Sequence, residues 1–229
     1  MLSRIRTMRR LIIIVCATLA VGLTSGPARA QDSIPITDLK IRAEAGDKTA
    51  TRQLAEAYYM GKGVEQDFKL AAQWYEKLAK LGDARAQTSL GLLYARGYGV
   101  EKNVETAIRW WQFAAMQNDP AAQFNLGTLY LEGNGVAQNY AETMRWYRNA
   151  AMRGHIQAQF NLGMLYFEGK GTAKDSRQAY YWLAVAAQQG DEDAQAELKK
   201  VAAVMTPAQV READAQARDW MKTAKKMWK

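Results

Sequence analysis

The stretch "NLGTLYLEGNGVAQN" (residues 125–139) returns 36 residues later as "NLGMLYFEGKGTAKD" (residues 161–175). The glycine pairs at its centre, Gly133/Gly135 and Gly169/Gly171, have two readings, a phosphate cradle or a bend. A phosphate loop of the GxxxxGK[ST] kind follows a strand and opens a helix. These glycines follow an apolar stretch of helical period and sit several residues before the next helix cap. Lys170 is followed by Gly171, not by Ser or Thr. Glycine here supplies the positive φ of a tight reversal. The motif is a bend.

Sliding the chain by 36 aligns whole columns, the mark of a repeat array. One reads Leu54, Leu90, Leu126, Leu162; another Tyr58, Tyr94, Tyr130, Tyr166; a third Trp74, Trp110, Trp146, Trp182. The spacing predicts four units, residues 46–81, 82–117, 118–153 and 154–189, with a half-unit over 190–198. Each unit reads as two helices. Ala122, Leu126, Leu129 and Tyr130 form one stripe of a first helix, and Ala107, Trp110, Trp111, Ala114 and Ala115 one stripe of a second. Asp67, Asn103, Asn139 and Asp175 are placed to cap the second helices, and Asp47, Asp83, Asp119 and Asp191 the first. Gly46, Gly82, Gly154 and Gly190 stand where a helix end needs a left-handed residue, with Asn118 in their column. The Trp and Tyr columns read as core rings.

These residues resemble the Sel1-like repeats, relatives of the tetratricopeptide repeats: the period, "AQFNLGTLYLEGNGV", the Asp/Asn cap and "RWYRNAA" all follow that pattern. The resemblance covers residues 46–198. It implies an all-α fold, a right-handed α/α superhelix whose concave surface holds other proteins. It also implies two other roles found among such repeats. One is a β-lactamase-like or penicillin-binding enzyme, although those members carry a disulfide in each repeat. The other is an immunity protein that neutralises an exported toxin.

The ends are of a different character. Arg4, Arg6, Arg9 and Arg10 precede an apolar run, and Ala28-Arg29-Ala30 closes it, the order of a secretory signal peptide over residues 1–30 cleaved after Ala30. Its removal takes five of 31 basic residues and none of 23 acidic ones, so the net charge falls from +8 to +3. The single cysteine, Cys16, leaves as well. An exported, periplasmic chain with no thiol has no disulfide framework and no thiolate nucleophile. A nucleic-acid partner would require clustered basic residues, and most of the basicity departs with the signal. Residues 31–45 read as an N-terminal capping helix. Residues 199–229 read as C-terminal capping helices, with Thr206-Pro207-Ala208-Gln209 in the order of a capping box and an apolar stripe of Val210, Ala213, Ala217, Trp220, Met221 and Ala224. The basic end (Lys222, Lys225, Lys226, Lys229) suits a helix C-terminus and offers a weak contact with anionic envelope lipid.

No HExxH, GxSxG or cysteine pair occurs, and the one histidine, His155, lies at a helix start. No catalytic, cofactor or metal site is therefore expected. A partner protein or peptide is expected on the side of the first helices opposite the core stripe. That side reads Arg52, Glu56, Tyr59 in the first unit and Thr88, Leu92, Ala95 in the second. It continues as Phe124, Thr128, Leu131 in the third and Phe160, Met164, Phe167 in the fourth. It grows more apolar toward the C-terminal end. Asn125 and Asn161 flank it as donors and acceptors for a bound backbone. A rival expectation has the last helix folding back over this stripe.

Overall fold

The computed structural model describes residues 35–227. Among the described residues eleven α-helices follow one another: α1 (Ile36–Glu44), α2 (Lys48–Met60), α3 (Phe68–Lys80), α4 (Ala84–Arg96), α5 (Val104–Met116), α6 (Pro120–Glu132), α7 (Tyr140–Met152), α8 (Ile156–Glu168), α9 (Ser176–Ala187), α10 (Glu192–Ala202) and α11 (Pro207–Met227). From α1 to α10 each helix packs on the one before it, so the chain is an α/α solenoid of four helix pairs with a helix added before them and two after. Residues 1–30, expected to be a signal peptide, lie outside the described residues. So does Lys229, as does the side chain of Lys225.

The predicted caps are formed. Asp67, Asn103, Asn139 and Asp175 accept from backbone N–H groups at the starts of α3, α5, α7 and α9, and Asp47, Asp83, Asp119 and Asp191 do so for α2, α4, α6 and α10. Each such cap is worth about 1 kcal/mol. His155 takes the missing aspartate's place, its Nδ1 accepting from the Ala158 N–H at 3.2 Å. Both glycines of the opening motif have positive φ (70° at Gly133, 77° at Gly135). The second one also admits the preceding unit: a Cβ on Gly171 would stand 2.6 Å from the Tyr140 carbonyl oxygen. Asn118 is the one non-glycine among the described residues with positive φ.

The leucine column is the core, with Leu54, Leu90, Leu126 and Leu162 all buried. The tryptophan column is so only in part. Trp74 and Trp182 are buried, but Trp110 and Trp146 are half-buried. The deeper side chain in those units is the next residue, 100° further round the helix: Trp111 and Tyr147. The cause is the glycine in mid-helix of the same unit. A Cβ at Gly91 would stand 2.5 Å from Trp111 Nε1, and one at Gly127 2.5 Å from Tyr147 Cδ1. The rings occupy the space that glycine leaves. Of the tyrosine column, Tyr166 is buried and Tyr58, Tyr94 and Tyr130 are half-buried.

A buried polar column went unread in the sequence. Gln87, Gln123 and Gln159 send Nε2 to the carbonyls of Ala79, Ala115 and Ala151, in the last turn of the preceding unit. Each of those carbonyls already accepts the N–H of the left-handed turn residue three positions on (Gly82, Asn118, Gly154), and the glutamine fills its second lone pair, joining each unit to the one before. Their recurrence at the period, beside apolar neighbours, was the available signal.

At the C-terminal end α10 is one helix across the half-unit boundary proposed at residue 198. Val201 is fully buried and holds that helix's last turn in the core, which carries it past the repeat pattern. The capping box of α11 is formed: the Thr206 N–H donates to Gln209 Oε1 at 2.9 Å, and the Gln209 N–H to Thr206 Oγ1 at 3.3 Å. Its stripe is buried at Ala213, Ala217, Met221 and Ala224. The packing partner of α11 is α9. Ala217 and Met221 meet Ala184 and Val185, and Trp220 stands edge-on to Trp182 with centroids 5.8 Å apart. The final helix therefore covers the last second helix, α9, and not the first-helix stripe.

Candidate functional site

The stripe opposite the core on α2, α4, α6 and α8 changes character along the chain. In the first unit Arg52 forms an ion pair with Asp83, the cap of the next first helix. Burial raises the carboxyl of Glu56, opposed by the Arg52 and Arg85 charges. Arg52, Glu56 and Tyr59 are half-buried. In the second unit Thr88 Oγ1 donates to Asp119 Oδ1 at 2.9 Å, and Leu92 and Ala95 are half-buried beside it.

In the third unit Phe124 is 7% exposed. Its ring stacks on Tyr147 (5.3 Å) and on His155 (4.4 Å). It belongs to the interface between units and is not offered to a partner. Met164, 6% exposed, is likewise core. Both were expected on the binding face; each is drawn inward because the first helix of a solenoid packs on two neighbours. Leu131, Phe160 and Phe167 are half-buried against the same core cluster. Thr128 Oγ1 lies 3.1 Å from Tyr147 Oη. Asn161 hydrogen-bonds the same phenol, and the two contacts oppose the burial that pushes Tyr147 up to about 12. Asn125 is half-buried. Leu131, Phe160 and Phe167, with Asn125, thus form the partly accessible part of the predicted set.

His155 is half-buried in this packing, and burial pushes its imidazole down to about 4. It is neutral at physiological pH, as a cap that accepts through Nδ1 must be. At the chain's end Lys222 and Lys226 are exposed, and Lys222 pairs with Asp219 at 3.0 Å. No helix among the described residues is long and apolar enough to cross a membrane. No group of three or more His, Cys, Asp or Glu among them is arranged to hold a metal ion.

An array of capped 36-residue helix pairs, with side chains linking each unit to the next, is a repeat scaffold of the kind that mediates protein–protein contacts. The Sel1 repeat pattern matches residues 49–83, 84–119, 120–155 and 156–191, and the chain belongs to the Sel1 repeat family. It is similar to a Sel1 repeat protein from Oxalobacter formigenes, 34% identical over 83% of this chain and 78% of that one, TM-score 0.65. It is similar also to c5321, a protective antigen of uropathogenic Escherichia coli with an SLR fold: 33% identity, 84% of this chain, TM-score 0.71. The match spans 41% of that longer chain. The immunity protein PA5088 from Pseudomonas aeruginosa shares the fold at 20% identity, TM-score 0.53, over 95% of this chain and 79% of its own. A search of curated protein sequences finds no match.

Proposed function

We propose that this protein is exported, loses residues 1–30 after Ala30, and works in the periplasm as an adaptor or regulator. It would hold a protein or peptide partner along the first-helix side of its third and fourth units. The observation that carries this reading is the gradient along that side. Units one and two close their share with charge and hydrogen bonds, Arg52 to Asp83 and Thr88 to Asp119. Every unit keeps half-buried side chains on this side, but they pass from Arg52, Glu56 and Tyr59 in the first to Leu131 in the third and Phe160 and Phe167 in the fourth. Aromatic anchors of this kind carry most of the binding energy in many interfaces. The family's use as an interaction fold supports the same class of function.

The test is the double substitution Phe160→Ser and Phe167→Ser in the mature chain. Capture of partners from envelope extract, read by mass spectrometry, should fall strongly while the fold persists with a modest drop in Tm. A large loss of stability with capture intact would make these two rings core and remove the reading. N-terminal sequencing of the envelope form checks the export step: a chain that begins at Met1 contradicts it.

A further inference from the structure

On the second-helix side of the array, a cleft of about 280 Å³ opens between α7 and the turn that follows α8. Met144, Arg145, Arg148 and Asn149 line it from the helix, and Gly171 and Thr172 from the turn. The repeat period does not explain it. The column of Thr172 holds Val64, Val100 and Val136 in the other units. Val100 and Val136 pack on the core there, whereas Thr172 is exposed. The columns of Arg145 and Arg148 hold Gln73 and Glu76, Arg109 and Gln112, and Tyr181 and Ala184. Two cations face one cleft in the third unit alone.

Their charges are not equally matched. Arg145 is paired with Glu142 at 2.6 Å and lies over the Trp146 ring. Arg148 donates to Tyr166 Oη at 2.5 Å, a neutral partner, and forms no ion pair with any described residue. Arg148 is exposed, and this one hydrogen bond restrains its guanidinium without neutralising it. An anchored, uncompensated guanidinium binds an oxyanion with little ordering cost. Asn149 and Thr172 add an amide and a hydroxyl, and Met144 an apolar wall. The volume lies just below the roughly 300–1,000 Å³ of drug-sized sites, so the occupant is about one residue in size.

We propose that this cleft is a carboxylate-binding site for polypeptide. It would take a carboxylate next to an apolar side chain, as a chain's C-terminal residue presents it. Arg148 would hold the carboxylate, Asn149 and Thr172 would complete its hydrogen bonds, and the apolar side chain would lie against Met144. The site is on the other side of the array from the stripe discussed above, so either can fail without the other.

The probes are N-acetyl-leucine, N-acetyl-leucinamide and inorganic phosphate, titrated into the mature protein and followed through the backbone amide resonances of Gly171 and Thr172. The expected result is a saturable shift with N-acetyl-leucine in the millimolar range and none with the amide. Arg148→Gln should weaken binding at least tenfold. Thr172→Val, which restores the residue of the other three units, should abolish binding without lowering Tm, so lost binding is not mistaken for lost fold. Three results would each overturn the proposal: no saturable shift, equal shifts from acid and amide, or binding that survives both substitutions. Phosphate binding more tightly than N-acetyl-leucine would also overturn it, because the cleft would then be a plain anion site.

Discussion

The rings of Phe124 and His155 lie almost parallel, 4.4 Å between centroids and 15° between planes. They occupy the positions that Thr88 and Asp119 fill one step earlier as a hydrogen bond and that Arg52 and Asp83 fill two steps earlier as an ion pair, each pair 31 residues apart. A first helix thus grips the cap of the next first helix at every one of these steps, by a different chemistry each time. The histidine that departs from the aspartate column is matched by a phenylalanine that departs from the polar column before it. Four measurements follow from packing of this kind.

His155 is held neutral, and its pKa of about 4 is below its ordinary 6.5 because burial penalises the imidazolium. The unfolded chain binds the proton more readily, so this group's contribution is complete above pH 6.5 and is lost as pH falls toward 4. A gap of that size corresponds to roughly 3 kcal/mol. Urea unfolding at pH 7.5 and pH 4.5 should show a larger acid loss in the wild type than in His155→Asn, which keeps a cap acceptor. Identical losses in the two proteins would mean that His155 is not the group responsible.

Phe124 and Phe160 share a column but not an environment. Phe124→Ala should cost about 3–5 kcal/mol, as for a fully buried ring. Phe160→Ala, at a half-buried site, should cost clearly less. Calorimetric melting of the two single variants decides, and equal costs would contradict the burial difference.

Gln123 Oε1 is buried with no hydrogen-bond partner among the described residues. In the flanking units that oxygen accepts from a glutamine 30 residues on, Gln117 to Gln87 at 2.8 Å and Gln189 to Gln159 at 2.5 Å. The third unit has Arg153 there, turned to Asn118 on the surface. Arg153→Gln should supply the missing donor and stabilise the protein by about 1 kcal/mol. A lowered urea midpoint would argue against that repair.

Gly127→Ala should destabilise although alanine is the better helix former by about 1 kcal/mol. The new Cβ would displace the Tyr147 ring, an overpacking cost of typically 1–3 kcal/mol. Ala55 already fills this column in the first unit and is fully buried, so Ala55→Gly should lower Tm by its helix-propensity cost together with that of the buried methyl it removes. A Gly127→Ala variant that melts higher than the wild type would show that the ring has room to move.

The helix pairs, their caps, the left-handed bends and the capping box before α11 were all legible in the chain, because each is local. A cap joins residues two or three apart, and a 36-residue period repeats the same local solution until it stands out. The depth of each ring was not legible. Trp146 and Tyr147 are neighbours in sequence, and only the glycine on the facing helix makes the tyrosine the deeper of the two. The binding face was readable as a stripe, but which of its members remain accessible depended on contacts 31 residues away, where Phe124 turns out to close on His155. The destination of α11 was equally undecided. Its apolar stripe required a partner, and the choice of α9 over the first-helix side rests on the shape that Ala184, Val185 and Trp182 present. Local hydrogen bonds and periodicity are written along the chain, whereas burial belongs to surfaces that exist only after distant helices meet.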